Sequence, residues 1–266
     1  MQTWRFIDSG PKRASLNMAI DEAIAESVGR GLAPPTLRFY GWTPPAVSIG
    51  YSQKIEEVDQ EECLLKNYDI VRRPTGGRAI LHNKELTYSI MSPADNPLFS
   101  KNIMNSYKIL HQGIMIGLRK LGLIPEMVSG RDKKGNKSPA CFFSPSINEL
   151  TIDGKKIIGS AQKRWQKVML QQGSILLDLD VDALFSVLSN QNSRGAKERA
   201  GQKMTSISRE LGKAVDIDNV KKVMIDGFEE ALGIRLKRGS LTDYETALAF
   251  RLSVEKYSNK EWNYKK

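Results

Sequence analysis

An α+β fold follows from three features of the sequence. Apolar residues recur every three to four positions in an early and a central stretch. Short β-branched runs bounded by turn signals lie between and after them, and the last third carries helix caps. Helices before, between and after a sheet differ from the regular βα alternation of a doubly wound chain.

Leu16, Ile20, Ile24 and Val28 place an apolar stripe on a first helix that Gly29 ends. Thr36 to Tyr40 and Ala46 to Ile49 read as strands around the turn GWTPP, Ile70-Val71 as a strand leading into a glycine-rich stretch, and Leu86 to Met91 as another. A longer helix spans about Asn102 to Lys120, where Ile103, Tyr107, Leu110, Ile114, Leu118 and Leu121 keep the spacing of a buried face. His111 lies on it as a packing residue, because nothing near it in sequence supplies a partner. In NELTIDGKKIIGSAQ, Asp153-Gly154 suits a tight hairpin turn, and Val168 to Leu177 forms a strand around Gly173. Asp218 caps a helix carrying Val220, Val223, Phe228 and Leu232, and Thr242 with Glu245 forms a capping box for the final one. With no linker or internal repeat, residues 1–266 read as a single domain whose C-terminal part, from about 181 to 266, is helical.

The 266 residues carry 40 Lys and Arg against 30 Asp and Glu, a net charge of +10, in an ordinary globular composition. The excess suits an acidic partner. Its local concentrations, Arg131 to Lys137 and Arg194 to Lys213, interleave no aromatics as a base-stacking surface would, so nucleic acid is not expected. No run approaches the roughly 18 apolar residues of a membrane span, and the start lacks a signal-peptide core, so a cytoplasmic protein without a membrane partner is expected. Cys63 and Cys141 stand too far apart for ligand spacing or a disulfide framework, and no metal is expected.

Chemistry is concentrated in two stretches. RRPTGGRAILH, Arg72 to His82, joins two arginines, a proline, paired glycines and a histidine between strands. Gly76 and Gly77 let backbone N–H groups approach a bound group, although the stretch is neither a Walker loop nor a dinucleotide fingerprint, and a plain glycine turn fits it equally. Cys63, within EEVDQEECLLK, is a packing residue of a helix. Cys141 differs: Lys133, Lys134 and Lys137 precede it, Lys155 and Lys156 follow, and cationic surroundings lower a thiol from about 8.5 and raise the nucleophilic thiolate fraction.

Taken jointly, QTWRFIDSG, RRPTGGRAILHNKELTYS, CFFSPSINEL, GKKIIGSAQKR, LQQGSILLDLD and EWNYKK resemble the cysteine-dependent octanoyltransferases of the LipM type, in the biotin/lipoate protein ligase superfamily. The resemblance covers nearly the whole chain in order. It implies a ligase-like catalytic domain with a mixed, largely antiparallel sheet flanked by helices. It also implies transfer of an octanoyl group from octanoyl-acyl carrier protein to a lysine of an apo-lipoyl domain. That acceptor would be the glycine cleavage H protein or a 2-oxoacid dehydrogenase subunit. The family's nucleophile falls on Cys141 and its invariant lysine on Lys156, which would stabilise the thiolate or oxyanion. Arg73, Gly76, Gly77, His82, Gly159 and Ser160 form the implied substrate-binding set. A thioester donor is already activated, so no ATP and no cofactor are implied.

Related classes differ at particular positions. Adenylate-forming lipoate ligases usually carry a third glycine where Arg78 stands and need no cysteine at position 141. The other octanoyltransferase class places its cysteine after the lysine, where GSAQKRW has none, and octanoyl amidotransferases tend to lack a histidine at the place of His82. Two departures from the resemblance remain: Asn83 stands where aspartate is common, and Gln172 where a histidine often precedes Gly-Ser. A non-catalytic basic binding protein on the same fold is the alternative from another class.

Overall fold

The computed structural model describes residues 1–99, 102–128, 149–189 and 194–265. In chain order the first half holds β1 (Gln2–Lys12), α1 (Ala14–Gly29), β2 (Thr36–Trp42), β3 (Ala46–Ile49), α2 (Gln60–Leu65), β4 (Asp69–Arg72), β5 (Ile80–His82), β6 (Glu85–Pro93) and α3 (Ile103–Lys120). The second half holds β7 (Glu126–Met127), β8 (Leu150–Ile152), β9 (Lys155–Lys156), β10 (Ile158–Arg164), β11 (Val168–Leu176), α4 (Val181–Ser186), α5 (Arg194–Lys203), α6 (Ile207–Leu211), α7 (Ile217–Leu232), β12 (Ile234–Arg238), α8 (Asp243–Leu252) and α9 (Lys260–Asn263).

Six strands make the main sheet in the order β10-β11-β6-β2-β1-β12. The first three pairings are antiparallel, and β1 lies parallel to both β2 and β12. Strand alternation then sorts side chains between two layers. Phe39, Tyr88 and Ile90 turn toward α3 and α7, into a core with Leu110, Ile114, Leu118, Met224 and Phe228. Tyr40, Met91 and Leu170 turn toward α1 and α8, into a core with Met18, Ile20, Ile24, Leu248 and Tyr257. Each such fully buried side chain contributes on the order of 1.5–3 kcal/mol. β4-β3-β5 form a second, three-stranded sheet, and β7-β8-β9 form a third, antiparallel one.

The α3–α7 crossing is close because glycine lines it: a Cβ on Gly227 would lie 2.2 Å from the Gly113 carbonyl oxygen. Between β8 and β9, Asp153 (φ 48°) and Gly154 (φ 72°) both have positive φ, the requirement of the tight hairpin turn. The Thr242–Glu245 capping box is present at α8.

Three expectations need correction. The cap of α7 is Asp216, whose side chain accepts from the Asp218 N–H, two residues before the expected one. The sheet also gains β1 and β12, whose pairing partners are remote in sequence, so local alternation did not reveal them. His111 is fully buried, and its Nε2 lies 3.0 Å from the Ser160 hydroxyl across the layer, a partner that its sequence neighbours could not disclose.

Candidate active site

A narrow cavity opens between the α1 face of the main sheet and the β4-β3-β5 sheet. Arg73, His82, Gly159 and Ser160 border it together with Trp42, Ser48, Ile80, Ala161 and Gln172. The fold therefore gathers four members of the expected substrate-binding set from three segments of the chain.

Alternation along β3 turns Ser48 to His82 on the antiparallel neighbour β5. The Ser48 hydroxyl lies 2.7 Å from His82 Nε2, and His82 Nδ1 lies 2.6 Å from Glu85 Oε1. With Nδ1–H donating to the carboxylate, Nε2 accepts from Ser48, whose oxygen in turn accepts from Arg73 at 3.0 Å. Glu85 also accepts from the hydroxyls of Thr87 and Ser174. The imidazole stacks on Trp42, with ring centroids 4.1 Å apart and planes 14° apart. Every polar atom of His82 is thus engaged, and its ring forms a rigid wall.

Arg73 organises the glycine loop from inside. Its guanidinium, 4% exposed, donates to the carbonyls of Ser48, Gly76 and Arg78. Gly77 adopts φ 91°, and Gly50 packs so tightly on it that a Cβ there would lie 2.0 Å from the Gly77 carbonyl oxygen. Gly76 and Gly77 do not border the cavity themselves; they shape its rim through Arg73. Arg78 is half-exposed and paired with Glu57 at 2.9 Å.

On β10, Gly159 and Ala161 face the cavity, whereas the Ser160 hydroxyl bonds to Tyr88 at 2.9 Å and to His111 on the α3 side. Gly173, opposite Ser160, leaves room for the Tyr88 ring, which a Cβ there would meet at 2.3 Å. Burial pushes the Tyr88 phenol up to about 12. Gln172 takes a structural place: its Oε1 accepts from Thr75 beside the glycine pair, and its Nε2 donates to Asp21 on α1.

Lys156 is 1% exposed and ion-paired with Glu149 at 2.6 Å, so it is not a solvated strand lysine. It does not border the cavity but lies on β9, three residues before Gly159. Cys141 and the Arg131 to Lys137 loop lie outside the described residues. The described residues flanking that segment meet directly, since Val128 N–H donates to the Glu149 carbonyl at 2.9 Å. Cys63 is buried on α2, where desolvation and then the Asp59 and Glu62 carboxylates push its thiol up to about 12. Among the described residues no group of His, Cys, Asp and Glu could hold a metal ion.

Sequence reasoning missed Ser48, Glu85 and Glu149. The last two had a signal, a carboxylate at the start of an apolar strand three residues after His82 and seven before Lys156; Ser48 inside AVSI had none.

The architecture is that of lipoate-protein ligases. A lipoate-protein ligase A bound with ATP matches with a TM-score of 0.82 and 28% identity, over 99% of each chain. A bipartite lipoate-protein ligase of Thermoplasma acidophilum, described with its lipoyl domain, also matches at TM-score 0.82 and 28% identity, over 99% of this chain and 97% of that one. The model of the lipoyl protein ligase A/B catalytic domain matches residues 13–229, and the chain belongs to that family. Its relatives include octanoyltransferases LipM of Kyrpidia tusciae, 44% identical over 100% of both chains, and of Bacillus subtilis, 40% identical over 100% of this chain and 99% of that one. No helix among the described residues is long and apolar enough to cross a membrane.

Proposed function

We propose that the protein is an octanoyltransferase of lipoate biosynthesis that works through a thioester on Cys141, in the cytoplasm. Octanoyl-acyl carrier protein is the donor and an apo-lipoyl domain the acceptor. The Cys141 thiolate attacks the donor thioester carbonyl, the bond to the donor sulfur breaks, and the donor leaves as a thiol. The acceptor lysine, as a free amine, then attacks the enzyme thioester; a C–N bond forms, the lysine proton is lost, and the Cys141 thiol is regenerated. An amide replaces a thioester, so the sequence runs downhill without ATP.

The observation that carries this reading is the buried Lys156–Glu149 pair, beside which the main chain closes onto both ends of the segment containing Cys141. In this reading the Lys156 ammonium, held in place by Glu149, acts as an oriented donor to negative charge developing on the Cys141 sulfur or on a tetrahedral oxygen, and not as a net positive charge. Arg73, His82 and Gly159 border a cavity that is narrow as it stands and would widen to take the acyl chain; its polar side chains already have partners, so an entering apolar chain leaves no donor unsatisfied. Gly76 and Gly77 hold its rim, and Ser160 fixes strand β10.

Intact mass after exposure to octanoyl-acyl carrier protein without ATP tests the reading. One octanoyl adduct is expected, mapped to Cys141; Cys141→Ala removes both adduct and transfer, and Cys63→Ala keeps both. Normal octanoylation of an apo-lipoyl domain by Cys141→Ala would refute the mechanism. Efficient turnover of free octanoate with ATP would move the protein to the ligases.

A further inference from the structure

Arg72, next to the cavity residue Arg73, is fully buried and points the other way. Its guanidinium donates to the carbonyls of Gly50, Tyr51 and Gln53 on one side, and of Trp262, Asn263 and Lys265 on the other. Two further bonds lock the second segment: Asn263 Oδ1 accepts from Arg72 N–H, and the Trp262 indole donates to the Arg72 carbonyl. A buried cation satisfied by neutral carbonyls has a structural task, and this one fastens residues 262–265 to the turn after β3.

The joint presents a definite surface. Tyr51 and Trp262 stand edge to face with centroids 5.9 Å apart, and the Lys265 ammonium sits in their corner, 3.8 Å from each. Lys163 lies 4.5 Å over the other part of the platform, Tyr51, and Lys256 lies 4.1 Å over Trp262. Lys256 is neutralised by Glu22, but among the described residues neither Lys163 nor Lys265 has a carboxylate within ion-pair distance. Burial and the positive charges of Arg72 and Lys256 hold the Lys265 ammonium below its ordinary value. Lys163 and Lys265, held on a fixed platform with no carboxylate within ion-pair distance among the described residues, favour an anionic visitor.

The patch is continuous with the cavity. Gly159, Ala161 and Lys163 alternate along β10, so Lys163 extends the strand face that forms the cavity floor. Tyr51 N–H donates to Thr75 O, tying the platform to the glycine loop.

We propose that Lys163, Lys265, Tyr51 and Trp262 form the docking surface for the acidic face of the acyl acceptor, the apo-lipoyl domain. The proposal rests on the transferase reading above. The acceptor fits better than the donor because of reach. A lysine extends only a four-carbon stem from its own backbone, so its domain must seat at the cavity mouth, whereas a donor presenting its acyl group on a long flexible arm need not.

The test is the double variant Lys163→Glu/Lys265→Glu in the full chain, with Lys163→Gln/Lys265→Gln beside it. Arg72 grips position 265 through its carbonyl, so the joint survives both changes. At low salt the charge reversal raises the Kd of an apo-lipoyl domain, and its apparent KM, by roughly tenfold or more, with a smaller rise for the glutamines. The difference shrinks as added salt shortens the screening length. Acylation of Cys141 by a small octanoyl thioester keeps its rate, and an acceptor whose acidic face is changed to lysine regains binding to the reversed enzyme. An unchanged Kd at low salt, or a rise only for the carrier-protein donor, overturns the proposal. Because acceptor binding is read without turnover, failure of the wild type to acylate Cys141 would refute the transfer mechanism separately.

Discussion

On the side of the main sheet covered by α3 and α7, Phe39, Leu110, Ile114 and Phe228 pack with glycines at the helix crossing; the polar groups there, Tyr88, Ser160 and His111 with Gln171, Gln162, Arg164 and Ser106, bond to one another with no carboxylate among them. On the α1 side, Asp21 is fully buried and accepts from Arg38 at 2.6 Å, Tyr40 at 2.9 Å, Ser89 at 2.8 Å and Gln172 at 2.8 Å. Gln172 continues that network to Thr75, and the Ser48–His82–Glu85 chain lies across the cavity. One sheet thus separates a layer that stabilises from a layer that orients. A packed apolar layer tolerates volume-conserving change, whereas a network of buried polar groups is satisfied only in one arrangement.

The largest expected effect lies on the α1 side. Asp21→Ala strips Arg38 of its only carboxylate among the described residues and should cost about 3–5 kcal/mol in urea unfolding, because a buried charge is left uncompensated. A loss below about 1 kcal/mol would mean that the network relaxes without it, and the contrast between faces would fail. Next comes Gly227→Ala on the opposite face. The added Cβ meets backbone at 2.2 Å, and overpacking should cost about 1–3 kcal/mol while transfer per folded molecule is unchanged. Altered acylation kinetics in that variant would show that the apolar layer also positions the cavity.

The same division governs what could be read from the sequence. The stripes of α1 and α3, the Asp153-Gly154 turn and the α8 capping box are set by residues within a few positions of each other, and the spacing disclosed them. β1 contains Gly10-Pro11, a poor strand signal, and holds its place by parallel pairing with Thr36 to Trp42 and with Ile234 to Arg238. Arg73, His82, Gly159 and Ser160, which the fold brings around the cavity, stood out in the sequence as motif members. Their partners were not, because Asp21, Ser48 and Gln172 come from separate segments and only folding brings them together. Arg72 makes the same point, since its bonds reach 193 positions along the chain to Lys265.

Ser48→Ala sharpens the contrast at smaller energy. It removes one hydroxyl between Arg73 and His82 and should cost about 1 kcal/mol of stability. Single-turnover acylation should fall by more than in a variant of equal stability on the α3 face, because His82 loses the bond that fixes its ring against Trp42. Equal rates in the two variants would make the cavity wall as tolerant as the apolar layer.

The smallest effect is silent at neutral pH and compares two tyrosines that back onto one sheet from opposite sides. Both phenols are fully buried, and burial is the main cause that raises each. Tyr88, which burial alone raises, goes up to about 12, held back by hydrogen bonds with Ser160 and Gln171. Tyr40 is raised further above the ordinary range, because the Asp21 carboxylate opposes a second negative charge and outweighs Arg38. A folded-state value above the unfolded one, about 10, means that below pH ~10 both states keep the proton and the contribution to stability is complete. As pH rises, the unfolded chain loses the proton first, and stability drains until the folded phenol ionises, near 12 for Tyr88. Tyr88→Phe should therefore leave the alkaline loss of stability shallower between about pH 10 and 12, whereas Tyr40→Phe should flatten a decline that continues to higher pH. Denaturation midpoints measured across that window check the order. If Tyr40 titrated first, the carboxylate at the centre of the α1 network would not carry the negative charge that sets this face apart.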